Sequence, residues 1–273
     1  MIYYFLNIID SMLSTESQTI ENDDFDNLIN TNIESTDSQF EIENSKDTNE
    51  VFLVIPAYNE EKTVGKILEK IAKLDYKIVL VDDGSRDNTL EISNNAKKKY
   101  PNHIFVYHHV INRGVGAATK TGMIAALKHG AKYIVTFDSD GQHAIEDIPK
   151  VCKPLQIGEA EVVIGARPFE DMPTSKRFAN NIMNLLTLVF YRINVKDSQS
   201  GLRAYKSSTV YKLNIRSDGY GALSEVTREI RRNNFKLKEV PITTIYTPET
   251  QAKGTNALVG LKILIKMILD LFR

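Results

Sequence analysis

The sequence predicts an α/β protein: a Rossmann-like, mostly parallel sheet flanked by helices, followed by a C-terminal amphipathic helix. Three observations predict it: short runs dominated by Val, Ile and Phe, helix-length stretches between them, and a regular alternation of the two from residue 51 onward. The apolar runs cover 51–56, 77–82, 104–108, 133–138 and 161–165, and their continuous hydrophobicity suits strands buried on both faces. The helical stretches lie near 63–74, 88–99, 117–129 and 146–156. A strand–helix–strand alternation builds a parallel sheet through right-handed crossovers. Ligands of such sheets bind outside the carboxyl ends of the strands, so the residues to inspect are those that follow each strand.

Charge divides the chain. The formal net charge is −1 over 273 residues, but 14–50 holds eleven acidic residues against Lys46 alone, a net of −10. From residue 51 onward 33 Lys and Arg face 23 Asp and Glu, a net of +10. In the acidic segment Phe25, Leu28, Ile33, Phe40 and Ile42 follow no period, so it cannot bury enough apolar surface to offset its chain entropy. We expect three parts: a disordered acidic segment over 1–49, the α/β domain over 50–256 and the amphipathic helix over 257–273. A body at +10 gathers anions, whether nucleotides, phosphates or acidic lipid headgroups, without choosing among them. Cys152 is the only cysteine, which excludes an internal disulfide and, with no Cys/His cluster, a structural zinc site; a reducing, cytosolic setting is expected. Residues 1–13 are apolar but lack a basic n-region and fall short of the ~20 residues of a spanning helix, so neither a signal peptide nor a membrane span is expected there.

The first strand ends in Pro56-Ala57-Tyr58-Asn59-Glu60-Glu61 and the second in Asp82-Asp83-Gly84-Ser85-Arg86-Asp87-Asn88-Thr89. A turn followed by a helix cap explains Gly84, Ser85 and Asp87. It leaves two adjacent carboxylates without a structural purpose, and mutual repulsion makes such a pair unfavourable unless a ligand uses it. The fourth strand ends in Asp138-Ser139-Asp140-Gly141-Gln142-His143. Asp138, Asp140 and the amide oxygen of Gln142 are hard donors suited to Mg²⁺ or Mn²⁺, and His143 is expected to orient a neighbour. A bare D-x-D is also a common solvated turn; its place after a buried strand, in line with the other carboxylates, favours the metal. Asn112-Arg113-Gly114-Val115-Gly116 opens the next helix and offers backbone N–H groups and a cation to a phosphate. Thr119 stands where G-x-G-x-x-G needs its third glycine, which disfavours a dinucleotide fold.

Taken in order, P-A-Y-N-E, D-D-G-S-x-D-x-T, N-R-G-x-G-A, D-S-D-G-Q-H, Gly165-Ala166-Arg167 and Gln199-Ser200-Gly201-Leu202-Arg203-Ala204-Tyr205 resemble glycosyltransferase family 2 with its GT-A fold, and within it the polyprenyl-phosphate (dolichyl-phosphate) sugar synthases. The resemblance implies that Pro56, Tyr58, Glu60 and Asp83 help hold the nucleotide, that Asp138, Asp140 and Gln142 bind the metal, and that Arg167 meets the diphosphate or an acceptor phosphate. It implies a nucleotide-sugar donor, a UDP-sugar or GDP-mannose, and inversion at the anomeric carbon. Gly219-Tyr220-Gly221-Ala222-Leu223-Ser224-Glu225 is similar to archaeal-type members that make dolichyl-phosphate sugars. After Glu239-Val240-Pro241-Ile242, where many such synthases carry R-x-x-G-x-S-K, this chain keeps Lys253 as the only cation of 246–256.

The acceptor follows from chemistry. A hydroxyl needs a general base, whereas a phosphate monoester, with a second pKa of about 6, is already anionic at neutral pH. A lipid phosphate therefore demands cations, and Arg167, Lys176, Arg177 and Arg203, with Arg113 on the nucleotide side, fit that demand; Asp140 and Arg167 would serve the departing diphosphate. Glu225 is the candidate base if the acceptor is instead a glycan or protein hydroxyl. A nucleotidyltransferase ranks low because 56–61 is neither Gly-rich nor basic. In 257–273, Lys262, Lys266, Asp270 and Arg273 fall on one narrow stripe of an otherwise apolar helix. That greasy face fits a bilayer, the domain's own core or a homo-oligomer, and we expect the bilayer. A second apolar stretch, 182–193, is too short to span. The expected setting is peripheral, on the cytoplasmic face of the membrane, with no nucleic acid among the partners.

Overall fold

A computed structural model of the protein describes residues 50–245 apart from 169, 171, 173 and 220. The acidic segment 1–49, the stretch 246–256 with Lys253, the helix 257–273 and the side chain of Lys176 lie outside the described residues. Seven strands form one sheet: β1 (Val51–Ala57), β2 (Lys77–Asp82), β3 (Ile104–His108), β4 (Tyr133–Thr136), β5 (Val162–Ala166), β6 (Arg203–Lys206) and β7 (Leu237–Pro241). Between them run α1 (Val64–Ala72), α2 (Thr89–Lys99), α3 (Val115–Lys128), a single 3₁₀ turn (Ile145–Asp147) leading into α4 (Ile148–Gln156), α5 (Thr174–Tyr191), the short α6 (Ser207–Val210) and α7 (Gly221–Arg232).

The strand order is β3-β2-β1-β4-β6-β5-β7. β1 pairs in parallel with β2 and β4, β2 with β3, and β5 with β7. β6 alone is reversed, antiparallel to both β4 and β5, with Arg203 opposite Thr136 on one side and Ile164 on the other. The mostly parallel α/β sheet expected from the sequence is thus present, with one reversed strand that the apolar runs did not announce. The reversal has a direct result. The segment entering β6 arrives at the edge where β4 and β5 end, and that is how the Gln199-Ser200-Gly201 motif reaches the ends of the parallel strands.

Alternation along the strands builds two cores. Leu53, Ile55, Ile78 and Leu80 face Val64, Leu68 and Ile71 of α1 and Val151 and Leu155 of α4. Phe52, Val54, Val79 and Val81 face Ala118, Met123 and Ala126 of α3 and Val226 and Ile230 of α7. Each of the Val, Leu, Ile, Phe and Met side chains, buried to completion, contributes about 1.5–3 kcal/mol of transfer free energy, so both faces of β1 and β2 are fixed in register. β4 stops at Thr136, two residues before the run of apolar character suggests, and the N–H of Phe137 then bonds to the carbonyl of Val54 at 3.0 Å before the chain turns into Asp138.

α5 differs from the other long helices. Phe178, Ile182, Leu185 and Val189, spaced by four, three and four residues along one face, are 69%, 41%, 59% and 61% exposed. Met183 and Tyr191 on the other side are buried. Among the described residues no helix is long and apolar enough to cross a membrane.

Candidate active site

The loops after β1 and β2 are laced together. The N–H of Asn59 donates to Ser85 Oγ at 2.9 Å, the N–H of Arg86 to Asn59 Oδ1 at 2.9 Å, and the N–H of Glu60 to Thr89 Oγ1 at 2.7 Å. Asp87 accepts the N–H groups of Glu61 and Thr89, and Glu61 accepts that of Asn88. The carboxylate of Asp87 therefore satisfies an otherwise orphaned donor in the first turn of α2, as a capping acid does. These hydrogen bonds present Tyr58, which is exposed, and Glu60, which is half-buried, just beyond the carboxyl end of β1. Pro56 sits just below, and its carbonyl accepts the hydroxyl of Ser139 at 2.9 Å, joining the end of β1 to the turn after β4.

Asp83 has a structural employer. It is 2% exposed, and its oxygens accept the N–H groups of Arg113 (3.0 Å) and Gly114 (2.7 Å) and the ring N–H of His109 (2.7 Å), whose other nitrogen meets Thr121 Oγ1 at 3.0 Å. The expectation that this carboxylate lacked a structural purpose is corrected: it shapes the Asn112–Gly114 turn, and the exposed Arg113 is presented by that turn. Gly114 takes φ +101°, and a Cβ there would lie 2.5 Å from the carbonyl oxygen of Asp218, so this turn closes only over glycine.

Beyond β4, Asp138 and Asp140 stand two residues apart. His143, 5% exposed and set edge-on to Phe137, donates from Nε2 to Asp138 Oδ2 at 2.9 Å. Gln142 donates its backbone N–H and its amide Nε2 to Asp140, at 2.9 and 2.6 Å. Thr63 bonds both to Glu60 Oε2 and to the carbonyl of Ser139, at 2.8 Å each, tying α1 to this turn. The two carboxyls are driven apart electrostatically. Burial opposes ionisation of Asp138, but the hydrogen bond and pull of His143, helped by Arg167 and Arg203, hold it below the usual carboxylate range. Burial, together with the charge of Asp138, pushes Asp140 above it.

Among the described residues no three His, Cys, Asp or Glu side chains are grouped to hold a metal ion by themselves. The donor set still fits a hard divalent cation of the Mg²⁺ or Mn²⁺ kind, because such ions accept two carboxylates and complete the shell with water and phosphate oxygens. A carboxylate whose ionisation is opposed by its neighbour is also a group that a cation would relieve. Gly201 forms the floor of this place. A Cβ at residue 201 would lie 2.2 Å from Asp138 Oδ2, so the serine-glycine turn before β6 admits the carboxylate only because it carries no side chain there.

Four expected cations separate. Arg167, at the end of β5, holds Asp197 bidentately, Nε to Oδ2 at 2.6 Å and Nη2 to Oδ1 at 2.9 Å. Arg177 is half-buried on α5, with Nη2 on the carbonyl of Glu170 at 3.3 Å. Arg113 is exposed, as above. Arg203, expected among the cations for a phosphate, is fully buried, and its guanidinium donates to the carbonyls of Ser198, Ser200 and Leu223, so it pins the 198–200 turn to α7. Glu225, the candidate base for a hydroxyl acceptor, also has backbone partners. It is 3% exposed, and Oε2 accepts the N–H groups of Arg216 and Ser217 at 2.7 and 2.8 Å, so this carboxylate shapes the 216–217 loop. Sequence reasoning missed Asp197 and His109. The only signal for Asp197 was an acid two residues ahead of Gln199-Ser200-Gly201; His109, at the end of β3, gave none.

A profile of glycosyl transferase family 2 matches residues 52–214. An uncharacterised protein of Methanocaldococcus jannaschii is 42% identical over 235 residues, covering 83% of this chain and 94% of its own length. The UDP-N-acetylglucosamine–dolichyl-phosphate N-acetylglucosaminyltransferase of Methanococcus voltae is 38% identical over 238 residues, covering 80% of this chain and 95% of its own. Among solved structures, glucosyl-3-phosphoglycerate synthase of Mycobacterium tuberculosis in complex with Mn²⁺ and UDP-glucose aligns with a TM-score of 0.63 over 82% of this chain and 79% of that one, at 18% identity, and has the same fold.

Proposed function

Since the chain belongs to glycosyl transferase family 2, we propose that it moves a sugar from a UDP-sugar to a polyprenyl (dolichyl) phosphate at a membrane surface. The observation that carries this reading is the pair Asp138 and Asp140, held by His143 and Gln142 at the carboxyl end of β4, with Arg167 close enough to depress the Asp138 carboxyl. The donor and acceptor classes are supported by the name of the Methanococcus voltae relative.

In this reading Pro56, Tyr58, Glu60 and the Arg113 turn cradle the nucleotide, and Asp138, Asp140 and the amide oxygen of Gln142 hold a divalent cation. When bound, such a cation stabilises charge on the leaving diphosphate. Arg167 and Arg177 meet phosphate oxygens, Arg167 while its Nε–Nη2 edge stays on Asp197, a two-sided role that an ammonium cannot reproduce. With a phosphate acceptor no side chain has to remove a proton, which agrees with Glu225 being engaged by backbone N–H groups. The exposed apolar face of α5 supports a peripheral seat on the bilayer, lying in the interface without spanning it.

The test is transfer by the purified full chain from UDP-N-acetylglucosamine, UDP-glucose or GDP-mannose, with Mn²⁺ or Mg²⁺, to dolichyl phosphate or to free dolichol, read by mass spectrometry of the lipid. A glycosyl phosphodiester formed from a UDP-sugar and lost in excess EDTA is expected. Glycosylation of the free alcohol, or full activity in EDTA, overturns the reading.

A further inference from the structure

Asp197 is fully buried, and an ionised carboxylate taken out of water persists only when its oxygens are met by charge and hydrogen bonds. Here three donors meet them: Nε and Nη2 of Arg167, at 2.6 and 2.9 Å, and the backbone N–H of Arg167 at 3.2 Å. The chain on either side of Asp197 is clamped from two elements. From α5, Asn184 donates to the carbonyl of Lys196 at 2.5 Å and accepts the N–H of Ser198 at 2.9 Å. From β7, Glu239 Oε1 accepts the N–H groups of Lys196 and Asp197, at 2.7 and 3.2 Å. The result is a rigidly held carboxylate aimed at one guanidinium, whose side chain remains 21% exposed.

We propose that Asp197 is a positioning residue: it fixes the plane of the Arg167 guanidinium so that a substrate phosphate meets a cation already oriented. This rests on the transferase reading above. A tie between β5 and the 196–198 segment alone would be served by neutral hydrogen bonds with a smaller desolvation penalty. A buried carboxylate in bidentate geometry is instead suited to holding the plane of its partner still. An arginine that must give up rotamer freedom on gripping a ligand loses about 2- to 13-fold in affinity, and a misdirected one forfeits alignment in the transition state as well.

A double-variant cycle tests it. Wild type, Asp197→Asn, Arg167→Lys and the double variant are compared by kcat, by KM for the UDP-sugar and for polyprenyl phosphate, and by Tm. Asp197→Asn is expected to lower kcat about 10-fold or more. The double variant is expected to be no worse than the worse single, because Asp197 acts only through the guanidinium. The KM that rises tells whether the donor or the acceptor phosphate is the one met. Deficits that multiply, or an unchanged kcat in Asp197→Asn, overturn the proposal. If Asp197→Asn does not fold, Asn184→Ala keeps both charges and loosens only the clamp: reduced kcat at a Tm within a few degrees of wild type supports the proposal, and unchanged kcat and KM overturn it. Absence of transfer by the wild type too would fall on the acceptor reading. The same cycle is then read on UDP binding with Mn²⁺ by calorimetry, where multiplied losses overturn the positioning role and a non-additive loss supports it.

Discussion

Gly201 is the residue on which the site's geometry turns. Its missing side chain leaves room for Asp138, and a methyl group there would overlap both carboxylate oxygens, at 2.2 and 2.6 Å. Asp138 is short and already held by His143, so the overlap is relieved only by moving the carboxylate or the turn. Gly201→Ala is therefore expected to lower kcat by about 10²-fold, the loss that goes with an ångström of misplacement, with little change in Tm. A thermal melt beside the transfer assay checks both halves, and a variant with wild-type turnover would show that the turn yields freely. At this scale the sequence was partly legible. Asp138, Asp140 and Gln142 stood out because their spacing after a buried strand is itself the signal. The backbone partners that Asp83, Arg203 and Glu225 take up were not legible, because no residue pattern announces which carbonyl or N–H will be left for a side chain to satisfy.

Among the elements, α5 links an apolar surface to the site. Its exposed residues Phe178, Ile182, Leu185 and Val189 follow helical spacing, and Asn184 on the same helix grips the segment that carries Asp197. Leu185→Glu with Val189→Glu is expected to release the protein from liposomes containing anionic lipid while UDP binding persists, since each charge would have to enter the headgroup–acyl boundary. Flotation by the double variant equal to that of wild type would assign this face to another protein surface. The apolar character of 182–193 was legible in the sequence; the length of α5 was not, because its first turns are polar and carry no period. The strands β1 to β3 fall within a residue of the apolar runs, since burial on both faces leaves a continuous hydrophobic signature. β6 escaped because four residues beginning with an arginine read as a surface segment until three carbonyls are brought to it by the fold.

For the whole molecule, the boundary near residue 50 is the part most open to test. Glu50 already belongs to the domain: its carbonyl accepts the N–H of Lys132 at 3.0 Å, and its carboxylate lies 3.0 Å from Lys132 Nζ. Removal of residues 1–49 is expected to shift Tm by less than about 4 °C, equivalent to roughly 1 kcal/mol, and to leave kcat within about twofold. A larger fall in either would make the acidic segment part of the structure. The reversed strand β6 also orders events in time. β1 to β4 are joined by local crossovers and can pair as they leave the ribosome, but Asp138 is translated 63 residues before Gly201, which seats it. At roughly 5–20 residues per second the nascent chain carries the carboxylate pair for about 3–13 s without that seat. Competence for chemistry is then acquired late in biosynthesis, after most of the scaffold exists. A chain stalled before residue 201 would keep the two acids and have no turn to receive them.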